Sequence, residues 1–473
     1  MTTCAIVGSG PNGLSAAITL AQAGVETTVY EARSIVGGAA STAELTLPGF
    51  HHDMGSSIYP MGIASPFFQT LPLADFGLRW IEPPAPLAHP LDDGTAVMLE
   101  HDLAATASGL GEDARAYTHL MQPLVDNWQS LREEVLGPVL HWPRHPLLLA
   151  GFGLKAALPA LALARSRFRG ARARALFAGN AAHSVLPLEN AFSAAVGLVL
   201  SAAGHTTGWP IAAGGAQAVS EALAGYLRSI GGRIETGRHI ASLDELGEPD
   251  LILCDISPRQ LSRLAGNSIT QKYRRALENY RYGPGAFKLD WALSEPIPWK
   301  ARDCLRAATV HLGGTLEEIV VSESAPAKGR VAEKPFVLIA QPSLFDPSRA
   351  PAGKHTAWGY CHVPNGSAGD RTGQIESQVE RFAPGFRDCI LARHVMGPAQ
   401  LETWNPNLIG GDFSGGAMTP SQLLFRPTEW QYRTSNRSIY LCSASTPPGS
   451  GVHGMCGHQA AKVALHDLGL PIK

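Results

Sequence analysis

Apolar and polar positions follow three regimes along the chain. In the first, short apolar runs end in glycine turns that open Ala-rich helices. Cys4-Ala5-Ile6-Val7 runs into Gly8-Ser9-Gly10-Pro11-Asn12-Gly13, and Leu14 to Ala23 then reads as an uncharged helix. A second strand is expected at Thr27 to Tyr30, closing on Glu31. The same grammar returns later: a helix over Ala216 to Ile230, a strand over Arg233 to Glu235, and a nearly continuous apolar strand over Asp250 to Cys254, as burial on both faces of a parallel sheet requires. It returns once more as a strand over Ser438 to Leu441, a glycine loop, and a helix over Cys456 to Leu468. The second regime covers 76–204, where Trp80, Pro83, Pro84 and Pro86 break regular structure and helical periodicity begins near Asp102. The third begins at Tyr280 and has period two: Phe287, Leu289 and Trp291 fall on one face, Lys288 and Asp290 on the other. Further short strands are expected at Phe336 to Ala340 and His355 to His362, so this part reads as an antiparallel sheet.

The first turn carries chemistry. Strand, Gly-x-Gly-x-x-Gly, helix, and a second strand tipped by an acid within about thirty residues form a dinucleotide-binding unit of Rossmann type. Gly8 makes the tight turn, Gly10 admits a pyrophosphate to the positive end of a helix, and Gly13 lets helix and strand pack closely. Glu31 suits a ribose and repels a 2′-phosphate, which favours FAD or NAD over NADP. Gly214-Gly215 is not a second fingerprint, since no acid-tipped strand follows at the required distance. The predicted fold is α/β: a Rossmann-type FAD-binding domain (1–75, 205–265 and 421–473) interleaved with an α+β substrate domain. The latter comprises a helical part at 76–204 and an antiparallel part at 266–420.

Composition narrows the function. The 473 residues amount to about three domains' worth of chain, and charged residues are 16% where roughly 25% is usual. A net charge of −2 gives no field to attract nucleic acid. Seven cysteines, none in a Cys-x-x-Cys pair, argue against a redox disulfide or a local zinc or iron–sulfur site, and read as reduced thiols of a cytoplasmic protein. The first basic residue is Arg33, so no charged region of a signal peptide is expected. Leu147 to Ala164 is almost wholly apolar and is followed by Arg165, Arg167, Arg169, Arg172 and Arg174. The stretch 147–174 reads either as a membrane-surface contact or tunnel lid, or as two buried helices before a solvated basic one.

Beyond Glu31, the Gly37-Gly38-Ala39 doublet extends the fingerprint. Together with Arg281 to Trp291 and Pro448-Gly449-Ser450-Gly451-Val452-His453-Gly454-Met455, it resembles the phytoene desaturase-like FAD oxidoreductases of the amine oxidase and phytoene desaturase superfamily. The middle block is closest to the bacterial and mitochondrial branch named for a pyridine nucleotide-disulfide oxidoreductase domain. The resemblance implies FAD as cofactor. It implies contacts from Gly8, Gly10, Pro11, Asn12, Gly13, Glu31, Ala32, Arg33, Gly37, Gly38 and Ala39. To these it adds Gly55, Ser56, Ser57, Ile240, Ser443, Ala444, Gly451, Val452, His453, Gly454 and Met455. Ser443-Ala444 stands where many relatives carry Gly followed by Gly or Asp, which puts a carotenoid substrate in doubt.

The implied reaction removes hydride from an apolar, isoprenoid- or acyl-like substrate, desaturating or isomerising it, with oxygen or a quinone as electron acceptor. Lys288 resembles the strand lysine that holds a water against flavin N5 in amine oxidases, and reads equally as one half of a buried pair with Asp290. His183, His453 and Asp53 are further catalytic candidates; each histidine also reads as a backbone hydrogen-bonder and Asp53 as a turn cap. Two alternatives stand beside this reading. One is an amine-oxidase-like enzyme with an aromatic cage drawn from Trp404, Tyr432 and Tyr440; the other is a flavin-bound regulatory protein without turnover. No metal-ligand spacing or Ser-His-Asp order competes.

Overall fold

A computed structural model describes residues 2–471. Five short strands form an all-parallel sheet in the order Ile439–Leu441, Leu251–Cys254, Thr3–Val7, Glu26–Tyr30, Arg233–Glu235. The first helix, Pro11–Gln22, begins three residues before the expected Leu14, because Pro11 has the fixed φ and the missing N–H that a first helical turn tolerates. It is buried along most of its length and packs against the C-terminal helix Met455–Asp467. Their crossing is so close that a Cβ at Gly457 would stand 1.8 Å from the Asn12 carbonyl oxygen.

A second sheet of seven strands runs Ile390–Met396, Gly285–Leu293, His355–Val363, Val337–Ala340, Ala307–Leu312, Ala85–Pro90, Ala96–Leu99. Every neighbouring pair is antiparallel except Ala307–Leu312 with Ala85–Pro90. The segment 76–204, expected to be helical, thus donates two strands before its helices begin. The prolines at 83, 84 and 86 end one extended segment and start another rather than breaking it, and Leu87 to Pro90 pair fully with 96–99. On the strand Gly285–Leu293, Phe287, Leu289, Trp291 and Leu293 join an apolar core on one face. Lys288 and Asp290 occupy the other, and all nine residues are buried.

Helices between Leu103 and Thr206 cover the seven-stranded sheet around Leu87, Val97 and Leu99. Within them Pro146–Ala156 and Ala160–Arg167 meet at 95°, and among the described residues no single helix is long and apolar enough to cross a membrane. The next helix, Ala171–Ala182, is not a solvated basic helix. It is buried from Ala175 onward, and its arginines serve local structure: Arg172 donates to Gly109 O and Ala96 O, and Arg174 to Phe168 O. All seven cysteines are free and buried.

The close helix crossing yields a test of the fold. Gly457→Ala should force the first and last helices apart at a cost of about 1–3 kcal/mol, the usual range for overpacking. A clear fall in the thermal midpoint is the expected result, and an unchanged midpoint would show that the helices do not meet there.

Candidate active site

The carboxyl ends of the parallel strands open onto one cavity of about 980 Å³ that continues into the helical layer. Its first half is a cleft lined by the turn Gly8 to Asn12, by Glu31, Ala32 and Arg33, by Gly38 and Ala39, by Ile240, and by Ser443 and Ala444. Gly451, Val452, His453, Gly55, Ser56 and Ser57 line it further in. Gly8 has φ of +99°, and a side chain at Gly10 would run into the Asp255 carboxylate, 2.6 Å away. Asn12 lines the cleft, and its Oδ1 is buried with no hydrogen-bond partner among the described residues, an acceptor that a ligand could satisfy. This cradle of small residues and unpaired polar atoms fits a dinucleotide such as FAD.

Gly13, Gly37, Gly454 and Met455 do not line the cavity; they hold its walls. The Gly37 N–H donates to Ser9 O at 3.0 Å, and Gly454 precedes the last helix with φ of +68°. Glu31 closes the turn from below: one oxygen accepts from the Ser9 N–H and hydroxyl at 3.0 and 2.6 Å, the other from the Arg33 N–H at 2.9 Å.

One acid escaped the sequence reading. Asp255, at the tip of the strand Leu251–Cys254, accepts the Gly13 N–H at 2.9 Å and lines the cleft. The signal was present, since an acid tips this strand as Glu31 tips the second. Burial, helped by the neighbouring Glu31 charge and opposed by the Gly13 N–H, pushes its carboxyl up to about 7.

Lys288 is 4% exposed and lines the same cavity. Its ammonium pairs with Asp290 and lies 5.0 Å from the centre of the Trp358 ring. Burial alone would raise the Asp290 carboxyl; the Lys288 ammonium, with help from His394 and His52, outweighs it and holds the group below the usual carboxylate range. His52 and His394 flank Asp290 at 3.8 and 3.6 Å, and burial pushes His52 down to about 4, so it is neutral.

The other candidates separate. His453 accepts the Met455 N–H at Nδ1, 3.1 Å, so its ring caps the last helix; burial takes it down to about 4. His183 lines the chamber, with its Nε2 2.8 Å from that of His311. Asp53 lies outside the cavity wall. It pairs with Arg349 at 2.8 Å and accepts the Thr42 hydroxyl and the Ala216 N–H at 2.8 Å each, clasping a hairpin to the start of a helix. It also accepts the hydroxyl of Ser57, which lines the cavity, so Asp53 acts as a clasp behind the wall rather than on it. Of the three aromatic residues considered for a cage, only Trp404 lines the cavity, and Arg33 covers it at 5.0 Å. Tyr432 donates to Pro447 O and Tyr440 to Asp467, away from the site.

The second half of the cavity is an apolar chamber walled by Leu149, Phe152, Ala156, Val196, Leu200 and Trp209. Among the described residues no group of three or more His, Cys, Asp or Glu could hold a metal ion.

Asp255 supplies a pH test. Its folded-state value lies above the ordinary 3.8, so the folded chain holds this proton when the unfolded chain has lost it. The stability it lends is therefore full below about 4 and is lost as pH rises through about 7. Asp255→Asn should make the nucleotide-free protein progressively more stable than wild type as pH is raised from 4 to 8, by chemical denaturation at each pH. Parallel curves for the two proteins would contradict the burial of this carboxyl.

Residues 6–71 match the NAD(P)-binding Rossmann-like domain family. The chain is 26% identical to the mouse (Mus musculus) pyridine nucleotide-disulfide oxidoreductase domain-containing protein 2, over 98% of this chain and 93% of that protein. It is 24% identical to the lycopene-forming phytoene desaturase of Paracoccus sp. (strain N81106 / MBIC 01143), over 98% of each. The fold is similar to that of cyclohexylamine oxidase from Brevibacterium oxydans IH-35A, with a TM-score of 0.61, 15% identity, and 99% of each chain covered. The chain thus carries a Rossmann-type dinucleotide domain and is homologous over nearly its whole length to these oxidoreductase-domain proteins and phytoene desaturases, within the FAD-dependent oxidoreductase superfamily.

Proposed function

We propose that this protein binds FAD in the cleft and dehydrogenates, or isomerises through hydride transfer, an apolar isoprenoid- or acyl-like substrate held in the chamber. The observation that carries this reading is the continuity of the cavity: one space joins a dinucleotide cleft to an apolar chamber, and Lys288 is among the residues that line it. FAD bound there would supply the acceptor for a hydride taken from a substrate C–H. The chain's own residues divide the remaining work. Gly8 to Asn12 and Glu31 hold the nucleotide, the chamber walls exclude water, and Lys288, fixed by Asp290, holds a water or manages a proton beside the reacting atoms. Oxygen or a quinone would take the electrons afterwards. An amine substrate fits less well, because the only aromatic of the considered cage that lines the cavity is already covered by Arg33.

The surface supports an apolar substrate as well. Trp142, Leu147 and Leu154 are 94%, 89% and 78% exposed, beside Val139 and Leu140. The same helix, Pro146–Ala156, turns Leu149 and Phe152 to the chamber. From 135 to 188 the chain has seven Lys and Arg residues and no acid. We read this face as a contact with an anionic membrane surface, through which substrate reaches the chamber.

Purified protein is expected to be yellow, with about one FAD per chain; colourless protein that gains no thermal stability from FAD would overturn the reading. In Lys288→Met, flavin reduction by substrate or reoxidation by oxygen should slow by roughly 100-fold, the lower range for loss of a proton-managing group. Unchanged rates in both directions would remove Lys288 from the mechanism. The triple variant Trp142→Ser, Leu147→Ser, Leu154→Ser should no longer float with anionic liposomes that carry wild type. Equal flotation, or no flotation of wild type, would dismiss the membrane contact.

A further inference from the structure

Four buried residues run in an unbroken chain from the Arg349 clasp to the cavity. The Ser57 hydroxyl donates to Asp53, and the Trp358 Nε1–H donates to the Ser57 Oγ at 2.7 Å. The Lys288 ammonium lies over the Trp358 ring, 5.0 Å from its centre. Ser57, Trp358 and Lys288 line the cavity, and Asp53 stands behind them.

The chain has one direction. An indole N–H only donates and a carboxylate paired with arginine only accepts, so the Ser57 hydroxyl turns a lone pair to Trp358 and its proton to Asp53. Asp53 is itself fixed by Arg349 and by the Ala216 N–H, each at 2.8 Å. The chain therefore ends on a rigid anchor. The indole cannot turn without leaving its one polar atom unpaired in a buried site, which is costly. Asp290 alone does not fix Lys288 in the same way, because Coulomb attraction is undirected and an ammonium on a flexible four-carbon stem reaches a carboxylate from several sides. Trp358 stands opposite Asp290 in the register of the neighbouring strands, so a carboxylate and a negative ring face confine the ammonium together. Tyr360 stacks alongside Trp358, ring centres 5.9 Å apart, and limits how far the indole drifts if the anchor is lost.

We propose that Trp358 is a positioning residue for Lys288, and that Asp53 acts on the site through Ser57 by setting the orientation of the Trp358 ring. The proposal rests on Lys288 holding a water or managing a proton in the proposed reaction, and adds what holds Lys288 in place. It also gives Asp53 a part in the chemistry without contact with the reacting atoms: its carboxylate orients a ring, and the ring orients an ammonium.

The test reads position and rate on the FAD-loaded protein. With carbon-13-labelled lysine, the Lys288 ε-methylene signal is identified by its loss in Lys288→Met, and the indole ring current should hold it upfield. Trp358→Leu should move it downfield, and Ser57→Ala should move it part of the way. Reoxidation by oxygen after reduction with dithionite should slow about tenfold in Trp358→Leu and about threefold in Ser57→Ala. Trp358→Phe, which keeps a ring face and has no N–H, should match Ser57→Ala. In a Lys288→Met background the same three substitutions should slow reoxidation no further, whereas a merely structural role would slow both backgrounds alike. A Lys288 signal unmoved by Ser57→Ala, or losses that persist in full without Lys288, would overturn the proposal. A signal that moves as expected while Lys288→Met reoxidises as fast as wild type would support the chain of contacts and remove Lys288 from reoxidation.

Discussion

The strand Thr3–Val7 is bracketed on both edges by parallel partners, Glu26–Tyr30 on one side and Leu251–Cys254 on the other, and this pairing constrains everything else. Parallel neighbours cannot be joined by a tight turn. The chain must leave the sheet and come back, and here its two long excursions build the seven-stranded sheet and the helical layer. All the parallel strands end at the same edge, so each return delivers another loop to one place: Gly8 from the first strand, Glu31 from the second, Asp255 from the fourth in sequence and Ser443 from the last. A crevice at the carboxyl ends of such strands is where open α/β sheets bind their ligands.

The interior charges are arranged by what each can be given as a partner. Asp53 has an arginine, two hydroxyls and a backbone N–H, and holds a hairpin to a helix behind the cavity wall. Asp290 has the Lys288 ammonium, and so fixes that side chain on the cavity wall. Asp255 accepts the Gly13 N–H, which does not offset its burial, so its proton is hard to lose. A buried ion pair adds little net stability, since desolvation offsets most of its attraction. The value of the Lys288–Asp290 pair is therefore positional.

Much of this was legible in the sequence, for reasons that differ from element to element. The fingerprint turn could be read because its geometry forbids side chains at fixed spacings. The two faces of Gly285–Leu293 could be read because strand period is two. The strands at 85–90 and 96–99 were missed because prolines signal irregularity in isolation, while pairing with Ala307–Leu312 is a partnership across more than two hundred residues. Asp53 was singled out for its place near a glycine stretch, yet its role is set by Arg349, which no local pattern links to it.

The apolar stretch after residue 146 unites the two halves of the picture, since one side of a single helix walls the chamber and the other meets solvent. The account as a whole depends on the cleft and the chamber being one functional space, with the reacting end of the cofactor between them. A crystal structure of the FAD-loaded protein tests this most directly. The account predicts the flavin ring at the junction, between Lys288 and the loop 451–453, with one face open to the chamber. Density that puts the ring away from Lys288, or a nucleotide that fills the cleft without reaching the junction, would contradict it.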